Sequence, residues 1–143
     1  MGSLVEMRSN LKKLDPSKLI DESLKELESY IIALNTRKQL YDKGIDSTGR
    51  PLRPYTNFTK SIKRRKGQPV NRTTLKDTGD FYEGFKVKEY GNFLELMSTD
   101  NKSQKLKDKY GTDIFGLTPE NTLLVADKLR ILLQEKVRRA LTL

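Results

Sequence analysis

Two of the twenty residue types that carry most enzyme chemistry are missing here: the chain has no cysteine and no histidine. Without cysteine it forms no disulfide and no thiolate metal site. Without histidine it lacks the commonest general base and the commonest metal ligand together. Zinc fingers, Ser-His-Asp hydrolases and Cys-His nucleophiles are excluded on that ground. Glycines such as Gly79, Gly84, Gly91, Gly111 and Gly116 stand singly, so there is no glycine-rich loop of the kind that cradles phosphates. No apolar run approaches the about 20 residues that span a bilayer as a helix. The first residues, Met1 to Met7, lack the basic start and apolar middle of a secretory signal. The expectation is a soluble protein made in a cytoplasm, with no membrane partner.

What is present is charge and periodic hydrophobicity. The 143 residues suit one ordinary domain, and 35% hydrophobic against 33% charged residues imply a modest core under a heavily charged surface. Twenty-eight Lys and Arg against nineteen Asp and Glu leave a net charge of +9. Such a surplus attracts nucleic acid or an acidic protein surface.

Residues 1–14 read as an N-terminal arm or short lead-in helix. Asp15-Pro16 is a helix start, with Asp as cap and Pro tolerated in the first turn. Ile20, Leu24, Leu27, Ile31 and Leu34 then recur in steps of four and three, which predicts one apolar stripe on a long helix ending near Lys43 before Gly44. From Ile45 to Thr74 apolar residues thin out. Asp46-Ser47-Thr48-Gly49 is a turn by composition, Pro51 and Pro54 interrupt regular structure, and Tyr55 to Lys66 is expected as a short basic helix. Residues 45–74 as a whole are expected to be an extended binding loop. Phe85 and Val87 alternate with Lys86 and Lys88, so a strand is expected there, with a turn at Tyr90-Gly91-Asn92 and a return strand over Phe93 to Ser98. Asn101 to Lys109 is expected as a polar helix, and Thr112 to Gly116 as a short extended piece. Thr118-Pro119-Glu120 opens a last helix to about Leu141. Its apolar face is expected to hold Leu123, Ala126, Leu129, Leu133, Val137 and Ala140, widened by Val125, Ile131 and Leu132. The predicted fold is α+β: residues 15–143 form a single domain, with two long helices packed on a small antiparallel hairpin.

The densest charge run is Lys60, Lys63, Arg64, Arg65 and Lys66, with Arg53 and Arg72 flanking it. These residues are candidates for contact with phosphates or with an acidic partner. Tyr55 and Phe58, just upstream, are of a type that stacks on bases. Asp77, Asp80 and Glu83 do not have the spacing of a calcium loop, and the first two read better as caps of a turn around Phe81. Phe81, Tyr82, Phe85 and Phe93 read for the most part as core. No metal, no cofactor and no catalytic set is expected.

Asp46-Ser47-Thr48-Gly49, then Leu75-Lys76-Asp77-Thr78-Gly79, then Gly111 and Phe115-Gly116-Leu117-Thr118 follow one another around the hairpin. Their order and spacing over about residues 15–141 resemble the phage virion-morphogenesis family, the tail-completion proteins of Mu-like and related tailed phages. The chain departs from that pattern at Pro51-Leu52, at Lys107-Asp108-Lys109-Tyr110 and at Thr112-Asp113-Ile114. The resemblance implies an α+β fold, a non-enzymatic structural role at the head–tail junction of a virion, and assembly with neighbouring neck, connector or tail proteins. It also implies a ring of copies of the chain, in which each copy presents two different surfaces to its neighbours. The matching residues Asp46, Ser47, Gly49, Leu75, Thr78, Gly79, Gly111, Phe115, Gly116 and Leu117 would then be structural. Two rival expectations stand beside it: a nucleic-acid-binding protein using Lys60–Lys66, and a small regulator of a host protein. A neck protein touching the genome's phosphates would combine two of these.

Overall fold

The computed structural model describes residues 3–90 and 93–142. It is α+β, with helices throughout and one antiparallel pair of strands. Where the sequence suggests a single domain after residue 14, the chain divides into two compact units: Met1–Ser29 with Thr122–Leu143, and Tyr30–Asn121.

In the first unit, residues expected as an arm form helix α1 (Leu4–Lys13). Ser3 and Glu6 start it with a reciprocal capping box: Glu6 N donates to Ser3 Oγ at 3.2 Å, and Ser3 N donates to Glu6 Oε2 at 3.0 Å. Helix α2 (Pro16–Glu26) begins as expected, with Asp15 Oδ1 accepting from the amides of Ser17 and Lys18. The last helix, α7 (Pro119–Thr142), supplies the rest of this unit from Thr122 onward. Its inward face largely follows the expected one. Val125 is buried and Leu129, Leu132, Leu133, Lys136, Val137 and Ala140 are half-buried, whereas Ala126 and Ile131 are exposed and Leu123 is 67% exposed. Lys136 lies on that inward face with its stem covered, and its ammonium reaches Glu26 Oε1 at 3.1 Å.

The second unit opens with the end of α3 (Glu28–Ala33) and a π-helical stretch over Leu34–Lys43. The long helix expected to reach Lys43 is therefore interrupted after Glu26 and ends in wider turns. Leu34, Asn35, Thr36, Gln39 and Leu40 are buried along that stretch, whose backbone bonds run from i to i+5. Gly44 ends the stretch in the left-handed region at φ 62°. A Cβ there would lie 2.9 Å from Arg72 Cβ and 3.0 Å from Thr73 O, so neither the turn nor the close approach tolerates a side chain.

Strands β1 (Phe85–Tyr90) and β2 (Phe93–Ser98) pair in register from Phe85 opposite Ser98 to Tyr90 opposite Phe93. Of the expected hairpin turn, Gly91 and Asn92 lie outside the described residues. The core sits at the base of the hairpin, where Leu40, Leu52, Leu75, Phe81, Phe85 and Ile114 are buried together. The rings of Phe81 and Phe85 meet edge to face at 5.1 Å, and Phe115 packs on both at 5.7 and 5.3 Å. Burying each such side chain stabilises the fold by about 1.5–3 kcal/mol. Phe93 is the exception among the aromatics read as core: it is 59% exposed and stacks on Tyr90 at the far end of the strands.

Helix α6 (Ser103–Tyr110) ends at Gly111 as expected, while Thr112–Ile114, expected to be extended, is a 3-10 turn that drives Ile114 fully into the core.

Candidate functional site

The largest difference from the sequence reading concerns residues 45–74. An apolar-poor segment with two prolines was expected to be an extended loop; it is a folded wall of the second unit. Asp46 closes its first turn by accepting at Oδ1 from Thr48 N, Thr48 Oγ1 and Arg50 N, and Ile45 bridges to Pro51. Leu52 is buried, and its amide donates to Gly44 O at 2.8 Å. Helix α4 (Asn57–Arg65) follows, capped by Thr56 Oγ1, which accepts from Thr59 N. Buried Thr73 then donates to Arg53 O at 2.6 Å, and Thr74 N donates to Tyr55 Oη at 2.9 Å. Polar side chains bonding to backbone thus replace the apolar burial that the composition lacks.

The basic candidates divide into two groups once placed on this wall. Lys63 is not a partner contact. It is 9% exposed, its ammonium donates to Gln68 Oε1 at 3.2 Å and Lys76 O at 3.1 Å, and it lies 4.8 Å from the centre of the Tyr55 ring. An ammonium gives up water only where donors are satisfied in this way. Lys66 pairs with Asp77 at 2.8 Å. That hydrogen bond, helped by Gln68, holds the Asp77 carboxyl below its ordinary range. Asp77 is therefore an acceptor for α4 and not a cap. The short helix α5 (Asp80–Glu83) is instead opened by Thr78, whose Oγ1 accepts from Asp80 N at 3.3 Å. Arg72 donates from Nε to Tyr41 O and from Nη1 to Asn71 Oδ1, with its guanidinium 5.4 Å from the Tyr41 ring centre. Arg53 donates to Lys109 O and lies over Tyr110. Among the described residues, the side chains of Lys60, Arg64 and Arg65 make no hydrogen bond or ion pair, and Arg64 and Arg65 are exposed. Phe58, 76% exposed, stands on the same helix; the Tyr55 hydroxyl is engaged with Thr74.

The motif residues gather into a scaffold. Ser47 N donates to Asp113 O at 2.8 Å, and Gly116 passes so close to Ser47 that a Cβ there would lie 3.2 Å from Ser47 Cβ. Two polar residues that sequence reasoning passed over hold this junction. Asn35 donates to Ile114 O and accepts from Gly116 N, at 3.0 and 2.8 Å. Gln39 donates to Gly116 O and accepts from Thr118 N and Asn121 Nδ2, at 2.9, 2.9 and 2.8 Å. Both amides are essentially fully buried. Their only signal in the sequence is an amide pair four residues apart, just where the apolar stripe ends. Leu75 is the other hidden feature, a buried leucine at φ 59°. Its backbone costs about 1–2 kcal/mol in that region. It is held there by core packing and by Thr74, whose carbonyl accepts from Tyr82 Oη. Burial raises the Tyr82 phenol far above its ordinary value. Thr78, Gly79, Gly111 and Phe115 serve turns or packing around the same core, and Leu117 is half-buried close by in sequence.

A different kind of surface lies on the first unit. Ala126, Leu129, Leu133, Val137 and Leu141 form an open apolar face along α7, edged by Arg130 and Arg138. Leu4 and Val5 on α1, Leu123, and Ile131 are also exposed. Among the described residues no group of three Asp or Glu side chains is arranged to hold a metal ion, and no helix is long and apolar enough to cross a membrane. Compared with known protein families, with characterised proteins and with solved structures, the chain matches none.

Proposed function

We propose that this chain is a non-enzymatic structural protein of a tailed-phage virion, of the neck or tail-completion type, that joins head and tail by assembling with copies of itself and with neighbouring neck, connector or tail proteins. The observation that carries the reading is the open apolar face of α7. An apolar helix face edged by arginines is what a protein interface presents before its partner arrives. The motif residues support it from another direction. Asp46, Ser47, Gly49 and Gly116 build one junction and its turn, and Phe115 packs on the core, in keeping with the structural role that the family resemblance implies. In a head-to-tail ring this face would meet a different surface of the next copy.

Peptide mass spectrometry on purified particles of the source phage, with copies counted against the major capsid protein, tests this. A low, fixed copy number is expected. Absence from particles while the protein is abundant in infected cells overturns the reading.

A second reading has its own observation: Arg64 and Arg65 point into solvent without acidic partners beside exposed Phe58. That face would make phosphate contacts whose affinity falls steeply with salt. Replacing both arginines by alanine removes such binding if this reading holds and leaves particle assembly intact.

A further inference from the structure

A groove of about 350 Å3 on the second unit is lined by Lys43, Lys60 and Arg72 together with Pro51, Leu52, Pro54, Val70 and Asn71, and no carboxylate lines it. We infer that this groove binds a carboxylate-bearing, extended segment of a partner protein, in which acidic and apolar side chains alternate.

Three observations lead there. Cations gathered in one concavity repel each other, and a cleft of one sign focuses its field on whatever anion enters. Ion pairs inside the protein quench Lys66 and Lys136, yet Lys43 and Lys60 have no ion-pair partner among the described residues. Arg72 is also set in advance. Its Nε and Nη1 are tied to Tyr41 O and Asn71 Oδ1, and its stem is pinned against Gly44, while Nη2 has no hydrogen-bond partner among the described residues. A guanidinium held in this way loses little freedom when a carboxylate arrives.

The shape chooses the class of ligand. A concavity of this volume is too small to seat a duplex, whose major groove alone is about 12 Å wide. Single-stranded nucleic acid needs an open aromatic face for stacking. Tyr55, the groove's aromatic residue, instead has the Lys63 ammonium 4.8 Å from its ring centre. Prolines, a valine and a leucine between the cations suit the side chains of an extended peptide. This names the chemistry of one partner for the assembly proposed above and rests on that reading for where the partner is found. The binding test does not involve the particle, so the two fail separately.

The test is a titration of the 15N-labelled chain with an acetylated peptide alternating glutamate and valine, and in parallel with oligothymidylate. The peptide is expected to shift the Gly44 and Asn71 amides and the Arg72 Nε–H. Lys43→Ala and Lys60→Ala should each weaken peptide binding roughly five- to tenfold. Arg64→Ala, which removes the same charge outside the groove, should leave it unchanged. Equal weakening by Lys60→Ala and Arg64→Ala would mean non-specific attraction and overturns the inference. So does a titration in which the groove signals stay still, or one in which oligothymidylate and not the peptide moves them.

Discussion

Gln39→Met is the sharpest test of how the second unit is held together. Methionine keeps the length and volume of glutamine and removes both polar atoms. Three hydrogen bonds disappear: to Gly116 O, from Thr118 N and from Asn121 Nδ2. The Thr118 amide, Gly116 O and the Asn121 side-chain amide each lose a hydrogen bond, at about 0.5–1.5 kcal/mol apiece. Burying an apolar side chain in place of an amide returns roughly 1–2 kcal/mol. The net expectation is a loss of about 2 kcal/mol. Urea unfolding followed by tyrosine fluorescence reads this unit alone, because the six tyrosines, residues 30, 41, 55, 82, 90 and 110, all lie within Tyr30–Asn121. With a slope of about 1–3 kcal/mol/M, the midpoint should fall by roughly 1 M while the slope stays the same. Asn35→Ala should be non-additive with it, by at least about 0.5 kcal/mol, since both amides hold Gly116. A change below about 0.5 kcal/mol for Gln39→Met, set against the about 1 kcal/mol that a single hydrogen bond contributes, would refute the view that the amide pair closes this junction.

Three further outcomes are expected. Gly84→Ala should cost about 1–3 kcal/mol, measured by the same unfolding, because its Cβ would lie 2.7 Å from Ser98 Oγ and 2.9 Å from Asp100 N, and backbone has to move. Lys63→Ala should destabilise by about 1–3 kcal/mol through the loss of its bonds to Gln68 and Lys76 O, whereas Arg64→Ala and Arg65→Ala should stay within about 0.5 kcal/mol. Equal effects at the three positions would contradict the division of the basic cluster. Tyr82 makes the second unit sensitive to alkali. Its folded-state pKa is raised by burial, so its contribution is complete below the unfolded value of about 10 and is lost as pH rises from there toward the folded value. Tyr82→Phe should lose about 1 kcal/mol at neutral pH with the bond to Thr74 O, and should then fall less steeply than the wild type above pH of about 10.

Periodicity and caps made much of the secondary structure legible. Asp15-Pro16, Gly44, the strand alternation around Val87 and the Thr118-Pro119 start all concern a few neighbouring residues, and local sterics and hydrogen bonding act at that range. Ser3 and Glu6 were equally local and readable, as a capping box, though the apolar and basic residues after them gave no clear period. The basic cluster was legible as composition only, because counting lysines does not reveal which ammonium has a carbonyl to donate to.

By itself, the sequence determined the α+β class, the positions of the strands and of the last long helix, and the lack of thiol and imidazole chemistry. Only the tertiary structure decided that residues 45–74 are a wall and not a loop, since their stability comes from partners distant in the chain: Thr73 with Arg53, Tyr55 with Thr74, and Lys63 with Lys76. It also decided which polar residues are interior. Asn35 and Gln39 are buried because carbonyls and amides of residues 114–118, nearly eighty positions away in sequence, arrive to bond them. A buried amide is costly alone and favourable when satisfied. That difference is set by what folds against it, which no local pattern encodes.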